Sequence, residues 1–409
     1  MRSPGQAGGF DKASCCVTVR CPPGRDPRPL GGFHAGRGTP PSVPRAMKVA
    51  HVIHGLEVGG LERLVVELAR RSRAFGVEPT LVPFGTDGPV RVWAEAADID
   101  VRPLGEVRGL SVEAVRRLAA AVSEAAVVHA HDLGPWLNAV AARALVPRLR
   151  VLATFHQLAP PAGPKRGAAR LGARLTTALV ACGDEVRAEL RSWAPGTTPV
   201  VTIGNGVALE TPATAEERAH ARRHMGLPDG AVAVGYLGRM HSEKGPDLLV
   251  EAMVRHLLDL PEAHLVLVGR GPLDGALRSA AAPLGARAHV LGEVVEGARG
   301  LLAGLDLYAQ PSRREGRSLA MLEAMAAGLP TVAHRLPAVA ELHVDGTSAV
   351  LVPPGDAGAL GGALRALVRD PGRRAALGAA ARSRAEAFSL DRMVEAYVRL
   401  WRAAVPVQA

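Results

Sequence analysis

Residues 49–84 read VAHVIHGLEVGGLERLVVELARRSRAFGVEPTLVPF. An apolar run, Val49–His54, stops at a glycine. Gly59 and Gly60 then open Leu61–Phe75, whose apolar residues recur at helical spacing, and a second apolar run, Thr80–Phe84, follows. Short apolar run, amphipathic stretch, short apolar run is the pattern of a βαβ unit. Runs without polar alternation predict strands buried on both faces of a parallel sheet.

The same rhythm extends outward from this unit. It predicts further strands at Val127–His129, Val151–Phe155, Ala178–Ala181 and Val200–Ile203, with helices near Val112–Glu124, Pro135–Leu145 and Asp184–Trp193. It breaks over Gly204–Pro212, passes through a charged helix, Ala215–Met225, and restarts with strands from Val232–Leu237 to Val350–Val352. The predicted fold class is α/β, two facing Rossmann-like doubly wound domains with a cleft between the carboxyl ends of their sheets. The boundaries are 1–46 for a head outside the fold, 47–206 and 207–388 for the two domains, and 389–409 for a terminal helix that crosses back to the first.

Charge and composition exclude several function classes. The chain has 409 residues, a net charge of +10, 48% hydrophobic residues and 22% charged ones, an ordinary globular composition. Half of the excess charge lies in residues 1–46, where Arg2, Lys12, Arg20, Arg25, Arg28, Arg37 and Arg45 face only Asp11 and Asp26. That head is rich in proline and glycine, holds Cys15, Cys16 and Cys21, and has no signal-peptide core. It reads as a disordered basic tail or as upstream sequence included by an early start, the second being favoured because Met47 opens the first strand. The remainder contains one cysteine, Cys182, which rules out a disulfide framework or a cysteine metal site and suits a cytoplasmic setting. No apolar run is long enough to span a bilayer. Four Trp, three Tyr and six Phe leave little for base stacking, so nucleic acid is not an expected partner.

Four loops carry groups suited to chemistry. Gly59-Gly60 lets backbone N–H groups approach a ligand at a helix N-terminus, or is a plain turn. In Gly238–Gly245, Arg239 and Lys244 stand five apart on a loop entering a helix, a natural clamp for a diphosphate or else two solvated cations. Glu315 and Glu323 lie eight apart; Glu243 and Glu251 are another such pair, so spacing alone means little. Glu323, however, sits in the apolar stretch LAMLEAMAAG, where a carboxylate needs a partner, and ribose hydroxyls would serve. His129-Ala130-His131 and His156 fall at strand ends facing the cleft; none has zinc-ligand spacing.

Together these loops resemble the retaining glycosyltransferases of family 4, which have the GT-B fold. The resemblance covers Met47 to Trp401, with GGLER, HAH, ATFHQL, NGV, GYLGRMHSEKG, LVLVGRGPL, VLGEV and PSRREGRSLAMLEAMAAGLPTVA in the family's order. It implies transfer of a hexosyl-type sugar from a nucleoside diphosphate donor to a glycan or lipid-linked acceptor, in cell-surface or exopolysaccharide synthesis. By the same resemblance His156 contacts the donor sugar, Arg239 and Lys244 clamp the diphosphate, Glu315 faces the transferred sugar and Glu323 holds the ribose. Gly316, Arg317 and Ser318 offer backbone N–H groups to the phosphates. Gly269, Gly271 and Val294 border the base, and Gly60 approaches from the other domain. No metal and no cofactor beyond the donor substrate are expected. Arg317 stands where the family commonly has an apolar residue, Ser318 where it often has glycine, and the segment before Glu341 lacks a frequent Gly-Gly, which leaves donor identity open.

Between Asp132 and Asp184 there is no acidic residue, while Arg143, Arg148, Arg150, Lys165, Arg166, Arg170 and Arg174 fall in that interval. Gly167–Thr177 reads as a short basic amphipathic helix. Arg143, Arg148, Lys165, Arg166, Arg170 and Arg174 are the expected surface for an anionic leaflet or a phosphate-linked acceptor, at the periphery of a membrane, or simply a solvated basic face. A sugar-nucleotide epimerase or phosphorylase shares the two-domain architecture and is the alternative. A dinucleotide oxidoreductase would need a G-x-G-x-x-G that EVGGLER does not supply, and a catalytically silent binding protein is the remaining class.

Overall fold

The computed structural model describes residues 46–57, 59–85, 88–107, 109–156, 161, 163–209, 211–292 and 298–405. The head of the chain and Val294 lie outside them. Residues 49–84 form the expected unit: β1 (Met47–Ile53), α1 (Gly60–Ser72) extended by a 3-10 turn, and β2 (Val77–Pro83), parallel to β1 along its whole length.

The first sheet continues with β3 (Asp100–Val101), β4 (Val127–His131), β5 (Arg150–Phe155), β6 (Ala178–Ala181) and β7 (Val200–Thr202). Among the described residues it has seven parallel strands in the order β3-β2-β1-β4-β5-β6-β7. Its other helices are α2 (Val90–Ala96), α3 (Val112–Ala121), α4 (Leu133–Ala142), α5 (Pro164–Arg174) and α6 (Asp184–Trp193). Strand β3 and helix α2 had no counterpart in the sequence reading, because neither is long enough to show a period.

The linking helix α7 (Ala215–His224) starts with a capping box, Thr214 and Glu217 each satisfying the other's backbone N–H. Next come β8 (Val232–Leu237), β9 (Ala263–Val268), β10 (Ala288–Leu291), β11 (Leu307–Gln310), β12 (Thr331–His334) and β13 (Ala349–Val352). They form a second all-parallel sheet, β10-β9-β8-β11-β12-β13. Helices α8 (Pro246–His256), α9 (Asp274–Ala281), α10 (Ala298–Leu302), α11 (Leu319–Ala326), α12 (Pro337–Leu342), α13 (Ala357–Arg369) and α14 (Pro371–Ala385) accompany it.

Strand order reverses between β1 and β4 in one sheet and between β8 and β11 in the other. Loops leaving such paired strands diverge to opposite faces and open a crevice at the carboxyl edge. The final helix, α15 (Leu390–Ala404), packs on the first sheet: Leu390, Met393, Val394, Tyr397, Val398 and Trp401 are buried with Val49, Val127, Leu152 and Val180. Where the chain passes between the sheets, the Val207 N–H donates to the Phe388 carbonyl at 2.9 Å and the Leu390 N–H to the Val207 carbonyl at 2.8 Å, so the two crossings lie side by side. Among the described residues no helix is long and apolar enough to cross a membrane.

Candidate functional site

Lys244 and Glu315 follow the two strands that flank the switch point of the second sheet. After β8 the chain makes a 3-10 turn, Ser242–Lys244, and reverses at Gly245 with φ of +68° before Pro246 starts α8. A side chain at Gly245 would put its Cβ 2.0 Å from the Pro311 carbonyl oxygen, so this turn requires glycine on both counts. The turn aims Lys244 across the crevice. Its Nζ donates to Glu315 Oε1 at 2.7 Å and Oε2 at 3.0 Å. Gln310 Nε2 at 2.9 Å and Ser312 Oγ at 3.1 Å also donate to Oε2, which fixes a carboxylate only 8% exposed. Gln310 is held in turn by Tyr308 and Ser318, whose hydroxyls donate to its Oε1 at 3.0 Å each.

Arg239, on the same loop as Lys244, is exposed, and its carbonyl accepts from Tyr236 at 2.9 Å. Gly269 and Gly271 lie in the loop after β9, which abuts this one: the Met240 N–H donates to the Arg270 carbonyl at 2.8 Å. Ser318 caps α11, its Oγ accepting from the Met321 N–H at 3.2 Å, so Gly316–Ser318 lead into a helix N-terminus as expected. Gly316 presses on the first domain, where a Cβ would lie 2.5 Å from the His156 carbonyl oxygen. The Arg317 side chain does not extend into the crevice. It pairs with Glu341, whose Oε1 accepts from the Asp184 N–H at the start of α6 at 3.0 Å, while Asn205 Nδ2 donates to the Arg317 carbonyl at 2.9 Å.

Helix α1 brings its own N-terminus to the same place: a Cβ on Gly60 would sit 3.1 Å from Leu319 Cδ1 on α11. Glu323, one turn into α11, lines a groove of about 730 Å³ with Gly60 and Arg63, a groove that Lys244, Glu315, Arg239 and His156 do not line. Burial pushes its pKa up to about 7, opposed by the Arg63 guanidinium, which lies 4.8 Å over the Trp93 ring. His156 is fixed through its backbone N–H, which donates to Asp132 Oδ1 at 2.9 Å. Burial lowers its pKa, with Asp132 and Asn205 acting in the opposite direction.

Helix α5 turns Ala169 and Ala173 inward and leaves Lys165, Arg166, Arg170, Arg174 and Leu171 exposed. Arg143 and Arg148 do not join that face freely. Half-buried Arg143 donates to the Leu175 carbonyl just past α5, and Arg148 to the Ser123 carbonyl at 2.6 Å.

A D-inositol 3-phosphate glycosyltransferase of Catenulispora acidiphila is 30% identical over a 401-residue alignment that covers 86% of this chain and 92% of that protein. The family profile described as Glycosyltransferase Family 4 matches residues 58–211, and that described as Glycosyl transferases group 1 matches residues 231–370. The chain belongs to glycosyltransferase family 4. A GDP-mannose-dependent monoacylated alpha-(1-6)-phosphatidylinositol monomannoside mannosyltransferase of Corynebacterium glutamicum is 33% identical over 192 residues, 45% of this chain and 50% of that protein. The chain thus spans about half the length of that and several other curated relatives it matches. The fold of this family 4 chain is GT-B, shared with Anabaena HepE solved with UDP and glucose: TM-score 0.77 at 19% identity, covering 87% of this chain and 100% of that one.

Several residues that shape this site were given no role in the sequence reading. Gln310 and Ser312 hold Glu315, and the PS dipeptide before Glu315 was their only signal. Asp132 follows the HAH motif with a φ of +67°, unusual for a residue with a Cβ, and that backbone turns its carboxylate to His156. Asn205 and Glu341 act across the domain boundary, which no local pattern reveals. His51 joins His129 and His131 because β1 and β4 pair with His51 opposite His129. One nitrogen from each of these three rings falls within 4.8 Å of the others, the only metal-capable group of three or more among the described residues. It is fully buried and holds no carboxylate to offset a divalent charge. An Asp-x-Asp spacing, Asp98 and Asp100, is taken up by Arg73 and Arg102 at the β3 edge of the first sheet.

Proposed function

We propose that this family 4 member is a retaining glycosyltransferase that moves a hexosyl-type sugar from a nucleoside diphosphate donor to a glycan or lipid-linked acceptor. The observation that carries this reading is the Lys244–Glu315 pair at the β8/β11 switch point, with Glu315 on the loop that leads into α11, whose N-terminus meets that of α1 at Gly60. Cleaving a nucleotide–sugar bond builds negative charge on the departing diphosphate and positive character on the sugar. Two helix N-termini, Lys244 and the exposed Arg239 are placed to stabilise the first. When phosphate oxygens take over Lys244, Gln310 and Ser312 still hold Glu315 against the sugar. These groups supply the charge stabilisation without a metal. Retention of configuration, ribose binding by Glu323 and sugar contact by His156 rest on the family resemblance.

The named relatives act on a phosphatidylinositol mannoside and on D-inositol 3-phosphate, both phosphate-bearing. The exposed cations of α5 support a phosphate-linked acceptor approached from the membrane surface, within cell-surface glycan synthesis.

A panel of nucleotide sugars assayed with phosphoinositol and lipid-linked acceptors tests the reading, with the anomer of the product read by proton NMR. Transfer with retention is expected, and Lys244→Ala or Glu315→Gln should lower kcat at least about 100-fold. Unchanged turnover in both variants, or release of a donor epimer without acceptor, would overturn it. Flotation should recover the protein with anionic vesicles and not with neutral ones; equal recovery rejects the membrane surface.

A further inference from the structure

Four histidines gather at the switch point of the first sheet. His51 on β1 and His129 on β4 are register partners, His131 lies two residues further on the same face, and His156 follows β5. Three of them form a chain. His51 Nδ1 meets His131 Nε2 at 3.3 Å, and His131 Nδ1 meets His156 Nε2 at 3.2 Å. The linked rings lie nearly parallel, with interplanar angles of 20° and 23°, and meet edge to edge through their nitrogens. His129 stands beside the chain, its Nε2 at 2.7 Å from Thr154 Oγ1, which reaches the Tyr397 hydroxyl at 3.1 Å. The two ends of the chain, His51 Nε2 and His156 Nδ1, are buried without a hydrogen-bond partner.

A neutral imidazole carries one N–H and one lone pair. Burial lowers the pKa of all four rings, so they are neutral at pH 7. The three chain members bring three protons; each link uses one, and the third must sit at an end. The ends differ. Beside His51 is the edge of Trp401, 5.4 Å between ring centroids, whose own indole N–H is also unpartnered. A proton on either end nitrogen lacks an acceptor within the chain itself, but His51 is 0% exposed whereas His156 is only partly buried, so only at the His156 end can a ligand become that acceptor. Beside His156 are Asp132, whose carboxylate accepts from the His156 backbone N–H, and Asn205, whose Nδ2 is used on the Arg317 carbonyl, so acceptor oxygens lie on this side of the chain.

We propose that His131 and His51 are positioning residues that hold His156 in the tautomer protonated at Nδ1, leaving that N–H for a substrate oxygen. His156 Nε2 then accepts from His131 Nδ1, and His131 Nε2 accepts from His51 Nδ1. An isolated cleft histidine divides between two tautomers; the chain removes the choice. The use of the N–H by a sugar oxygen rests on the function proposed above, while the tautomer itself does not.

Nitrogen-15 NMR of histidine-labelled full-length protein separates the two. The wild type should show His156 protonated at Nδ1. His131→Leu should mix the tautomers, and His131→Asn, whose amide nitrogen overlays the imidazole Nδ1, should restore the wild-type signature. His51→Leu lies one ring removed from His156 and should shift the same signals, which a merely structural His51 would leave unmoved; it also carries the test if His131→Leu fails to fold. A wild-type His156 protonated at Nε2, or His156 signals unchanged in the folded leucine variants, overturns the proposal. So does stoichiometric zinc in the purified protein, since a metal on His51, His129 and His131 would consume the lone pairs that form the chain. In transfer assays His131→Leu should lower kcat/KM about 5- to 10-fold, the cost of one lost neutral hydrogen bond. If the tautomer shifts while transfer is unaffected, the assigned contact of His156 with the sugar fails and the chain is demoted to structure.

Discussion

Glu323 shows how far a single residue could be understood before its surroundings were known. A carboxylate inside LAMLEAMAAG is out of place on an apolar helix, and that mismatch was legible. Its surroundings were not: Arg63 comes from another domain, and the groove between them exists only once two sheets are assembled. Lys244 and Glu315 repeat the lesson. Each was recognisable on its own glycine-bearing loop, but their pairing across 71 positions is a property of the switch point. The energetic consequence for Glu323 has a definite sign. Its folded pKa of about 7 exceeds the ordinary 4.5, so the folded chain keeps a proton that the unfolded chain releases between those values. Stability from this group is intact below pH 4.5 and lost as pH rises through 7. Glu323→Gln should therefore be more stable than the wild type by about 3 kcal/mol at pH 8. It should match the wild type at pH 4, as read from denaturant midpoints. A variant less stable at pH 8 would mean that Arg63 already compensates the charge. The same exchange should weaken nucleotide binding if the carboxylate accepts ribose hydroxyls.

At the scale of elements, legibility followed length and burial. Strands such as Val232–Leu237 and Ala178–Ala181 are unbroken apolar runs, and they fold over the residues that the pattern marks. The short β3, α2, α10 and α12 carry no period and were not anticipated. Helix α15 is the informative case. Its amphipathic pattern announced a helix and its return to the first domain was expected, yet no local pattern named the residues its apolar face would cover. The partner is the first sheet, and Tyr397 and Trp401 close over the histidines there, with ring centroids 5.0 Å from His129 and 5.4 Å from His51. Trp401 is fully buried and Tyr397 makes one buried hydrogen bond. Trp401→Ala should cost about 3–5 kcal/mol and Tyr397→Phe about 1 kcal/mol. Chemical denaturation followed by far-ultraviolet circular dichroism checks the ranking; equal effects would show that α15 is not anchored by this cluster.

At the scale of the molecule, two departures from the family's usual sequence turn out to be one structure. Arg317 and the unusual segment ending at Glu341 were separate oddities in the chain. In the fold they are partners, with side chains 11% and 22% exposed, and together they bind the first domain through the Asp184 N–H and Asn205. Glu341 thus serves the guanidinium and the N-terminus of α6 at once, a position where a negative charge also meets the helix dipole favourably. The pair is a clasp on the cleft, and it sits next to Gly316, the point where the loop of Glu315 touches the loop of His156. Removing one partner of a largely buried pair is costly, about 3–5 kcal/mol, because the other charge is left without compensation. Here that cost falls on the contact between domains, since neither sheet is built from these residues. Glu341→Ala should therefore leave each half folded while uncoupling them. Calorimetry should show two separated transitions where the wild type has one, and small-angle scattering should show a larger radius of gyration. Arg317→Leu should open the cleft less, because the Glu341 carboxylate it leaves behind keeps the Asp184 N–H and the N-terminus of α6. A single unshifted transition and an unchanged scattering profile in Glu341→Ala would place the coupling in the paired crossings at Val207 and Leu390 instead.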